Sequence, residues 1–402
     1  MDRFFLLFNI LRNEIKLSNI LTYLLLFATF SAFIPEFISN LLNLPQETKA
    51  ILRMIFSYAL STALSFLTFY LFITCSHFID LYKKNITFFF AIFILFMSVI
   101  LNNNYLSLIL LFSVVCSLLF YELLPKIQVE ANLSPTIYFL IFLVAIPLVL
   151  SILLTDNSRL YISESYRGLQ NSRNDFGFLC GFLLLLIFIS KNNSFIVYLF
   201  IPLVIISFNL TASRTCFLAV TISSIFLIFS YIRLRELKRL FIICFSLIFI
   251  WIPSQQWNPL VDKNRVYRSI NLVEPFSNNL ANHGIFHISS ERIMIFNKTI
   301  DAITDNFWFG RGNFYQQITL NNKIIEPHNF FLQSILNFGL FATLIWCLLL
   351  LKYFLHISYK GRALILFMIL YAQFQPGFDA FFFAPSVIAI FIASFNPKIK
   401  LA

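Results

Sequence analysis

Three residues of this sequence have side chains and sequence neighbours that suit phosphate binding or proton transfer. Arg214 follows a turn of small residues at Thr211–Ser213, Arg292 opens a helical pattern, and His328 stands just before a long apolar run. Arginine suits a phosphate because its planar guanidinium donates paired hydrogen bonds and stays charged. A neutral imidazole can accept a proton from a hydroxyl group. Together these residue types predict an active site that binds an anion such as phosphate and contains a general base.

The amino-acid composition excludes a soluble globular protein. Of the 402 residues, 59% are hydrophobic and only 12% are charged, whereas about a quarter of a soluble protein is charged. The chain is therefore predicted to be an all-α polytopic membrane protein. Its formal net charge of +11 would suggest nucleic acid in a soluble protein, but here membrane topology explains much of it. The six cysteines occur singly, without metal-binding spacing, and are predicted to be small apolar core residues.

Twelve apolar segments are predicted to span the membrane as helices. Several are shorter than the ~20 residues that a spanning helix needs, so their assignment rests partly on the charges between them. The segments are Ile20–Ile38, Ile51–Phe78, Ile86–Leu101, Tyr105–Leu124, Ile137–Leu154, Phe176–Ile189, Phe195–Leu210, Cys216–Ile232, Leu240–Ile252, Phe330–Leu351, Ala363–Phe374 and Phe381–Phe395.

The distribution of lysine and arginine predicts which connections are cytoplasmic. Alternate connections are basic, and cytoplasmic loops carry the excess of positive charge. Both termini are therefore predicted to be cytoplasmic, with an uncleaved first span. The chain divides into an N-terminal membrane bundle (1–252, spans 1–9), a large outside loop (253–327) and C-terminal spans 10–12 (328–402). The basic residues that decide this are Lys83, Lys84, Lys126, Lys191, Arg233, Arg235, Lys238, Arg239, Lys352, Lys360, Arg362, Lys398 and Lys400, with Arg3, Arg12 and Lys16.

Several arginines contradict this charge rule, because they fall in short outside connections. The connection 154–176 contains Arg159, Arg167 and Arg173, and the next one ends in Arg214. Short outside loops normally lack arginine. For Arg159 and Arg173 the favoured explanation is that the side chains reach lipid headgroups, whereas Arg214 is predicted to bind an anion.

The outside loop contains an amphipathic pattern that begins at Ser290. The predicted helix starts with Ser289 or Ser290 as its N-cap and stops at Gly310–Gly312. Arg292 falls in its first turn, where the helix dipole attracts anions. We expect a phosphate there, with an ion pair to Glu291 or Asp301 as the alternative. The apolar residues that recur at helical spacing are Ile293, Phe296, Ile300, Ile303 and Phe307.

His328 is predicted to lie at the outer start of span 10. Pro327 is a favourable first helical residue, and a helix N-terminus disfavours the charged imidazolium. This position therefore favours a neutral imidazole that can act as a general base. Glu326 favours the charged form instead, or orients the ring.

Three motifs in this order resemble the O-antigen ligase and polymerase superfamily. They are Thr211-Ala212-Ser213-Arg214-Thr215, Ser290-Glu291-Arg292 with the helix that follows up to Gly310-Arg311-Gly312, and Pro327-His328-Asn329 leading into Leu332 and Gly339. The resemblance covers residues 167–383. It implies a GT-C-like bundle of about twelve spans with a large periplasmic loop between spans 9 and 10. It also implies transfer of a glycan from undecaprenyl diphosphate to an acceptor hydroxyl.

The resemblance implies a role for each matching residue. Arg214 and Arg292 would hold the diphosphate, and His328 would be the catalytic base. Arg167 matches a less regular part of the pattern, and Asn174-Asp175 stand where the family has Asn-Pro-Asn. The remaining positions expected to bind substrate are Arg311, Asn329, Glu326 and Asp379.

The predicted function is an inner-membrane glycosyltransferase that acts at the periplasmic face, most readily a ligase joining O-antigen to lipid A–core. A repeat-unit polymerase with the same donor is the alternative. A flippase fits less well, because no internal duplication is visible, and a scaffold protein would leave His328 without a role. The outside acidic residues are dispersed, so no metal and no cofactor are expected. The expected partners are the lipid-linked donor, the lipid A–core or growing glycan acceptor and membrane lipids, without nucleic acid.

Overall fold

The computed structural model describes about half of the chain, and this part is helical apart from two short hairpins. Three predicted spans, Ile86–Leu101, Tyr105–Leu124 and Phe381–Phe395, lie outside the described residues, as does most of Ile51–Phe78. The described residues are 17–45, 47–49, 51–52, 55–56, 59, 63, 132–153, 161–162, 165–170, 172–190, 195–211, 213–251, 290–311, 318–320, 323–325, 327 and 329–373.

The described helices and strands follow one another in this order. They are α1 (Leu17–Leu41), α2 (Ser134–Leu153), β1 (Tyr161–Ile162), β2 (Ser165–Tyr166), α3 (Arg173–Ile189), α4 (Phe195–Leu199), α5 (Ile201–Thr211), α6 (Arg214–Leu234), α7 (Leu237–Trp251), α8 (Ser290–Thr304), β3 (Ile318–Leu320), β4 (Lys323–Ile325), α9 (Phe330–His356) and α10 (Tyr359–Ala372). Strands β1 and β2 pair antiparallel, and so do β3 and β4.

Three of the described helices are long and apolar enough to cross a membrane. Their spanning segments are Asn19–Leu41, Ser134–Ser151 and Thr215–Leu234. Shorter apolar helices cover Asn174–Ile189, Phe195–Thr211 and Phe331–Phe341. The prediction of a helical membrane protein is therefore confirmed, while the number of spans stays a prediction.

Two predicted spans are interrupted. The segment Phe195–Leu210 forms α4 and α5, which are separated by a turn at Phe200. Pro202 in the first turn of α5 has no N–H group to continue the hydrogen bonding of α4, so the break is expected at this point. The second interruption is at Gly339, where the backbone inside α9 leaves the helical conformation.

Helix α3 lies at the centre of the described bundle and contacts α2, α5, α6 and α10. Every residue from 176 to 190 on this helix and its cap is buried, in keeping with a helix that is apolar on all sides. Gly177 and Gly181 let α6 approach closely, because a Cβ at Gly181 would lie 2.5 Å from Val220 Cγ2. Phe178 packs against Phe367 and Tyr371 of α10.

The ends of these helices gather in two groups, which we call the Asn174 end and the Tyr231 end. The contacts at the Asn174 end join Ser213 to Asn174, Tyr371 to Asp175, Asn329 to Gln373 and Asn40 to Leu169. At the opposite end Tyr231 donates to the Phe188 carbonyl and packs edge-on against Tyr359. The basic segment 233–239 lies at this Tyr231 end. The grouping agrees with the predicted alternation, and the side of the membrane on which each end lies stays a prediction.

Candidate functional site

The turn before α6 fixes the position of Arg214. Ser213 has an extended backbone and Arg214 is the first residue of the helix. The Ser213 hydroxyl does not cap its own helix but donates to Asn174 Oδ1 at 2.6 Å. The turn is further held because Cys216 Sγ donates to the Asn174 carbonyl at 3.2 Å. The backbone of Arg214 therefore lies at the positive end of the α6 dipole, directly beside the first turn of α3.

The first turn of α3 contains Asn174 and Asp175. Ser172 caps this helix by accepting from the Asp175 backbone N–H at 3.2 Å, and its hydroxyl donates to Asp175 Oδ2 at 2.8 Å. Tyr371 Oη donates to Asp175 Oδ1 at 3.2 Å. Asn174 and Asp175 thus join α3 to the turn at Ser213 and to the last turn of α10.

Arg167 lies in a tight turn beside these helix starts. Its carbonyl accepts from the Gln170 N–H at 3.1 Å, and the next residue, Gly168, has a φ of +57°. A Cβ at Gly168 would lie 2.6 Å from the ring of Phe176, so only glycine fits there. Arg167 is half-buried, and this burial lowers the pKa of its guanidinium.

Lys49 is a buried cation of this region that sequence reasoning missed. Its Nζ donates to Asn40 Oδ1 at 2.9 Å and lies 3.9 Å from a Glu36 carboxylate oxygen. Asn40 in turn donates to the Leu169 carbonyl at 3.1 Å. Burial, and then the charge of Arg167, lower the pKa of Lys49. The signal was available, because Lys49 falls in a predicted outside connection, where the charge rule disfavours cations.

Helix α8 is fastened to α9 through two glycines. Gly310 has a φ of +64° and Gly339 a φ of +81°. A Cβ at Gly339 would lie 2.1 Å from the Trp308 carbonyl oxygen, and one at Gly310 2.4 Å from the Gly339 nitrogen. Arg311 N–H donates to the Leu336 carbonyl, and Leu340 N–H donates to the Phe307 carbonyl, both at 2.9 Å. We call this arrangement the glycine clasp. It holds the helix that carries Arg292 against the first half of α9.

The structure of α8 corrects its predicted end and shows which side of the helix is buried. The helix ends at Thr304, and a turn continues to Gly310. Its buried side chains are Ile295, Thr299 and Ile303, whereas Phe296, Ile300 and Phe307 of the predicted pattern are exposed. Ile303 packs against Leu336 of α9. The predicted helical pattern is confirmed, but the spacing alone does not distinguish the side of α8 that meets α9.

Arg311 contacts the end of α8. Its guanidinium donates to the Ala302 carbonyl at 3.3 Å and lies 3.8 Å from Asp305 Oδ2. An arginine bound to a last-turn carbonyl stabilises the negative end of a helix. Its predicted contact with substrate stays a prediction.

Asn329 is the N-cap of α9. Its Oδ1 accepts from the Phe331 and Leu332 N–H groups at 3.0 and 3.1 Å, and its Nδ2 donates to Gln373 Oε1 at 3.3 Å. The helix begins at Phe330. The interpretation of Pro327 as the first helical residue was therefore wrong. His328 directly precedes the cap residue in the chain.

The structure therefore brings together the backbone positions of Arg167, Arg214 and Asn329 at the Asn174 end. For Arg214 and Arg292 it gives the helix position, and their side chains are outside its description. Glu326, His328 and Asp379 lie outside the described residues. Within the described ranges, no group of three or more His, Cys, Asp or Glu side chains could hold a metal ion.

A comparison with protein families shows what part of this arrangement is similar to. The model of the O-antigen ligase family matches residues 199–347. This part of the chain is similar to the O-antigen ligase family. The match extends from the end of α4 into α9 and includes Arg214, Arg292 and His328, while Arg167 and Asp379 lie outside it. The resemblance predicted from the three motifs is thus confirmed. A comparison with curated proteins found no match.

Proposed function

We propose that this protein is an O-antigen ligase, an inner-membrane glycosyltransferase that moves a glycan from undecaprenyl diphosphate to a hydroxyl of lipid A–core. The observation that supports this proposal most is the location of the O-antigen ligase motifs. Arg214 at the start of α6 and Asn329 at the start of α9 both lie at the Asn174 end. Arg167, on a separate connection, reaches the same end.

Helix starts supply the electrostatic support for an anionic donor in this proposal. Helices α3, α6 and α9 all begin at the Asn174 end, and each helix N-terminus carries a partial positive charge. A diphosphate placed there would meet these partial charges together with the guanidinium of Arg214. Arg292, in the first turn of α8, would add a second arginine to the same anion.

The proposed reaction is a single displacement at the sugar carbon that is attached to the diphosphate. The acceptor oxygen forms a bond to this carbon while the bond to the diphosphate oxygen breaks. His328 takes the proton of the acceptor hydroxyl, and the arginines stabilise the negative charge on the departing undecaprenyl diphosphate. We propose that no metal is needed, because the arginines supply this charge.

A purified system tests the proposal with protein, lipid-linked glycan and lipid A–core as its only macromolecular components. The wild type is expected to transfer the glycan with or without EDTA. His328→Gln is expected to lower transfer about 10²–10⁴-fold, because a positioned base contributes that much, and donor binding is expected to persist. His356→Gln is the control, since His356 is the last residue of α9, at the far end of that helix.

The outcomes of this experiment are distinct. Near-normal transfer by His328→Gln would remove the imidazole as the base, and inhibition of the wild type by EDTA would contradict the metal-free reaction. Extension of the lipid-linked glycan in place of modification of lipid A–core would make the protein a polymerase of repeat units.

A further inference from the structure

An exposed apolar stripe runs along the second half of α9. Its residues recur at intervals of three and four, so they occupy one side of the helix. Predicted span 10 lies in α9, and the exposed apolar side of a helix that crosses a membrane faces lipid. The stripe therefore marks the lipid-facing side of α9. Its residues are Phe341, Leu344, Leu348, Leu351 and Leu355.

The two ends of this stripe lie near the two boundaries of the bilayer. At one end, the Arg362 guanidinium donates to the Leu355 carbonyl, and such a charge belongs at the level of the headgroups. Phe341 lies 14 residues earlier in the helix, which is about 21 Å at 1.5 Å per residue. The hydrocarbon core is about 30 Å thick, so Phe341 lies within about 10 Å of the opposite boundary.

Three aromatic residues of the clasped loop extend the stripe at this boundary. The Trp308 ring stacks on Phe341 with the ring centres 4.8 Å apart, and the Phe309 ring centre lies 6.3 Å from the same ring. Phe307 meets Trp308 edge-on at 5.0 Å. All four side chains are exposed, Trp308 by 51%. We call these four residues the aromatic patch. The glycine clasp holds the patch against α9, so it is a fixed continuation of the lipid-facing side.

The exposed surface of α8 is itself divided into an apolar and a charged side. Phe296 and Ile300, four residues apart, are exposed on one side, whereas Lys298 and Asp301 are exposed on the opposite side. Met294 is an exposed apolar residue on the charged side. A helix divided in this way can lie in the plane of a membrane interface, with its apolar side at the headgroups and its charges in water. The helix before the aromatic patch therefore also suits a membrane surface.

We propose that the aromatic patch is a membrane anchor, inserted into the headgroup boundary of the bilayer that α9 crosses. Tryptophan is enriched at this boundary because its ring is apolar and its N–H group is polar. The partner is lipid rather than another protein, because the patch continues a lipid-facing stripe without a break. The anchor keeps α8, and with it the backbone of Arg292, at the membrane surface. This inference does not depend on the proposed reaction.

Fluorescence of Trp308 tests the depth of the patch. A variant with Trp251→Phe, Trp257→Phe and Trp346→Phe retains Trp308 as its one tryptophan. This variant is reconstituted into phosphatidylcholine vesicles and quenched by acrylamide in water, by a nitroxide on the lipid headgroup or by a nitroxide near the end of the acyl chain. The matched control combines Lys298→Trp and Trp308→Phe with the same three substitutions, because Lys298 is exposed on the charged side of α8.

Trp308 is expected to lose most of its emission to the headgroup nitroxide, less to the deep nitroxide and least to acrylamide. The control is expected to emit at longer wavelength and to be quenched mainly by acrylamide. Equal quenching by acrylamide in both proteins would overturn the inference. Protection of Trp308 from all three quenchers would also overturn it, because protein would then cover the patch. Strongest quenching by the deep nitroxide would place the patch in the hydrocarbon core and contradict an interfacial anchor.

A spin label provides a second measurement that needs no tryptophan substitution. Phe309→Cys and Lys298→Cys, each in a background without the native cysteines, are labelled with a nitroxide in the same vesicles. Collisions of the label with oxygen, which concentrates in lipid, are compared with collisions with a water-soluble nickel complex. The label at Phe309→Cys is expected to favour oxygen, and the label at Lys298→Cys to favour nickel. The same ratio of collisions at both positions would show that the patch does not enter the membrane.

Discussion

Replacement of Gly339 by alanine is expected to open the glycine clasp. Gly339 has φ 81° and ψ 171°, a conformation that is essentially restricted to glycine and costs another residue about 1–3 kcal/mol. Its new Cβ would also lie 2.1 Å from the Trp308 carbonyl oxygen and 2.5 Å from the Phe309 nitrogen. Backbone atoms cannot rotate away as a side chain can. The segment 307–311 must therefore move away from α9.

This movement breaks the two backbone hydrogen bonds that Leu336 and Leu340 make with the segment, each worth about 1 kcal/mol. The hydrogen bonds oppose opening in the wild type and the variant alike, so the shift comes from the backbone strain of about 1–3 kcal/mol and from the Cβ clash, which both destabilise the clasped form. The population of the clasped form relative to the opened form is therefore expected to fall at least about fivefold. Glycan transfer is expected to fall with it, because Arg292 is no longer held beside the helix that follows His328.

Cross-linking measures the clasp directly. Ile303→Cys and Leu336→Cys, in a background without the native cysteines, place thiols on two side chains that pack together. Gly339→Ala is expected to slow their cross-linking. Gly181→Ala is the matched control, because its Cβ meets a side chain of the core, Val220, and overpacking of this kind also costs about 1–3 kcal/mol. Normal cross-linking and normal transfer by Gly339→Ala would refute the reasoning.

Three further predictions concern the arginines, the cap of α9 and the topology. Arg214→Lys and Arg292→Lys keep the charge but lose the paired hydrogen bonds, so each is expected to cost on the order of 3 kcal/mol in kcat/KM; wild-type kinetics in both would exclude a diphosphate clamp. Asn329→Ala is expected to lower the free energy of unfolding by about 1 kcal/mol, and Asn329→Asp to preserve it as a cap; a thermal melt that ranks them otherwise would contradict the capping role. An impermeant thiol reagent on intact cells is expected to label Gly284→Cys and not Glu236→Cys, and the reverse would invert the predicted topology.

The helix boundaries were the most predictable part of the fold. The apolar run Cys216–Ile232 corresponds to α6 at Arg214–Leu234, and Ile137–Leu154 corresponds to α2 at Ser134–Leu153. These segments are continuous apolar stretches, so their composition alone marks where a membrane helix can lie. The motif around Arg214 was also predictable, because a cation in a short outside connection contradicts the charge rule.

The interruption of α9 was not predictable from its own residues. Gly339 stands in a long apolar run, where a glycine is compatible with a continuous helix at a cost of about 1 kcal/mol. Its conformation depends on the backbone of Trp308 and Phe309, which is distant in sequence. Lys49 was visible as a cation in an outside connection, but its contacts were not predictable. Its Nζ donates to Asn40, and Asn40 donates to the Leu169 carbonyl, more than a hundred residues away in the sequence.

The glycine clasp also limits how this protein can be recombined with relatives. In a membrane, a helix that is interrupted leaves backbone groups to be satisfied by other parts of the protein. Here the loop supplies both partners, since Phe307 accepts from Leu340 and Arg311 donates to Leu336. A chimera that exchanges residues 253–327 alone would combine Phe307 and Arg311 of one protein with the α9 of another, whose backbone need not match them. An exchange that carries residues 253–341 as one block keeps both hydrogen bonds and both glycines, so the clasp is transplanted intact.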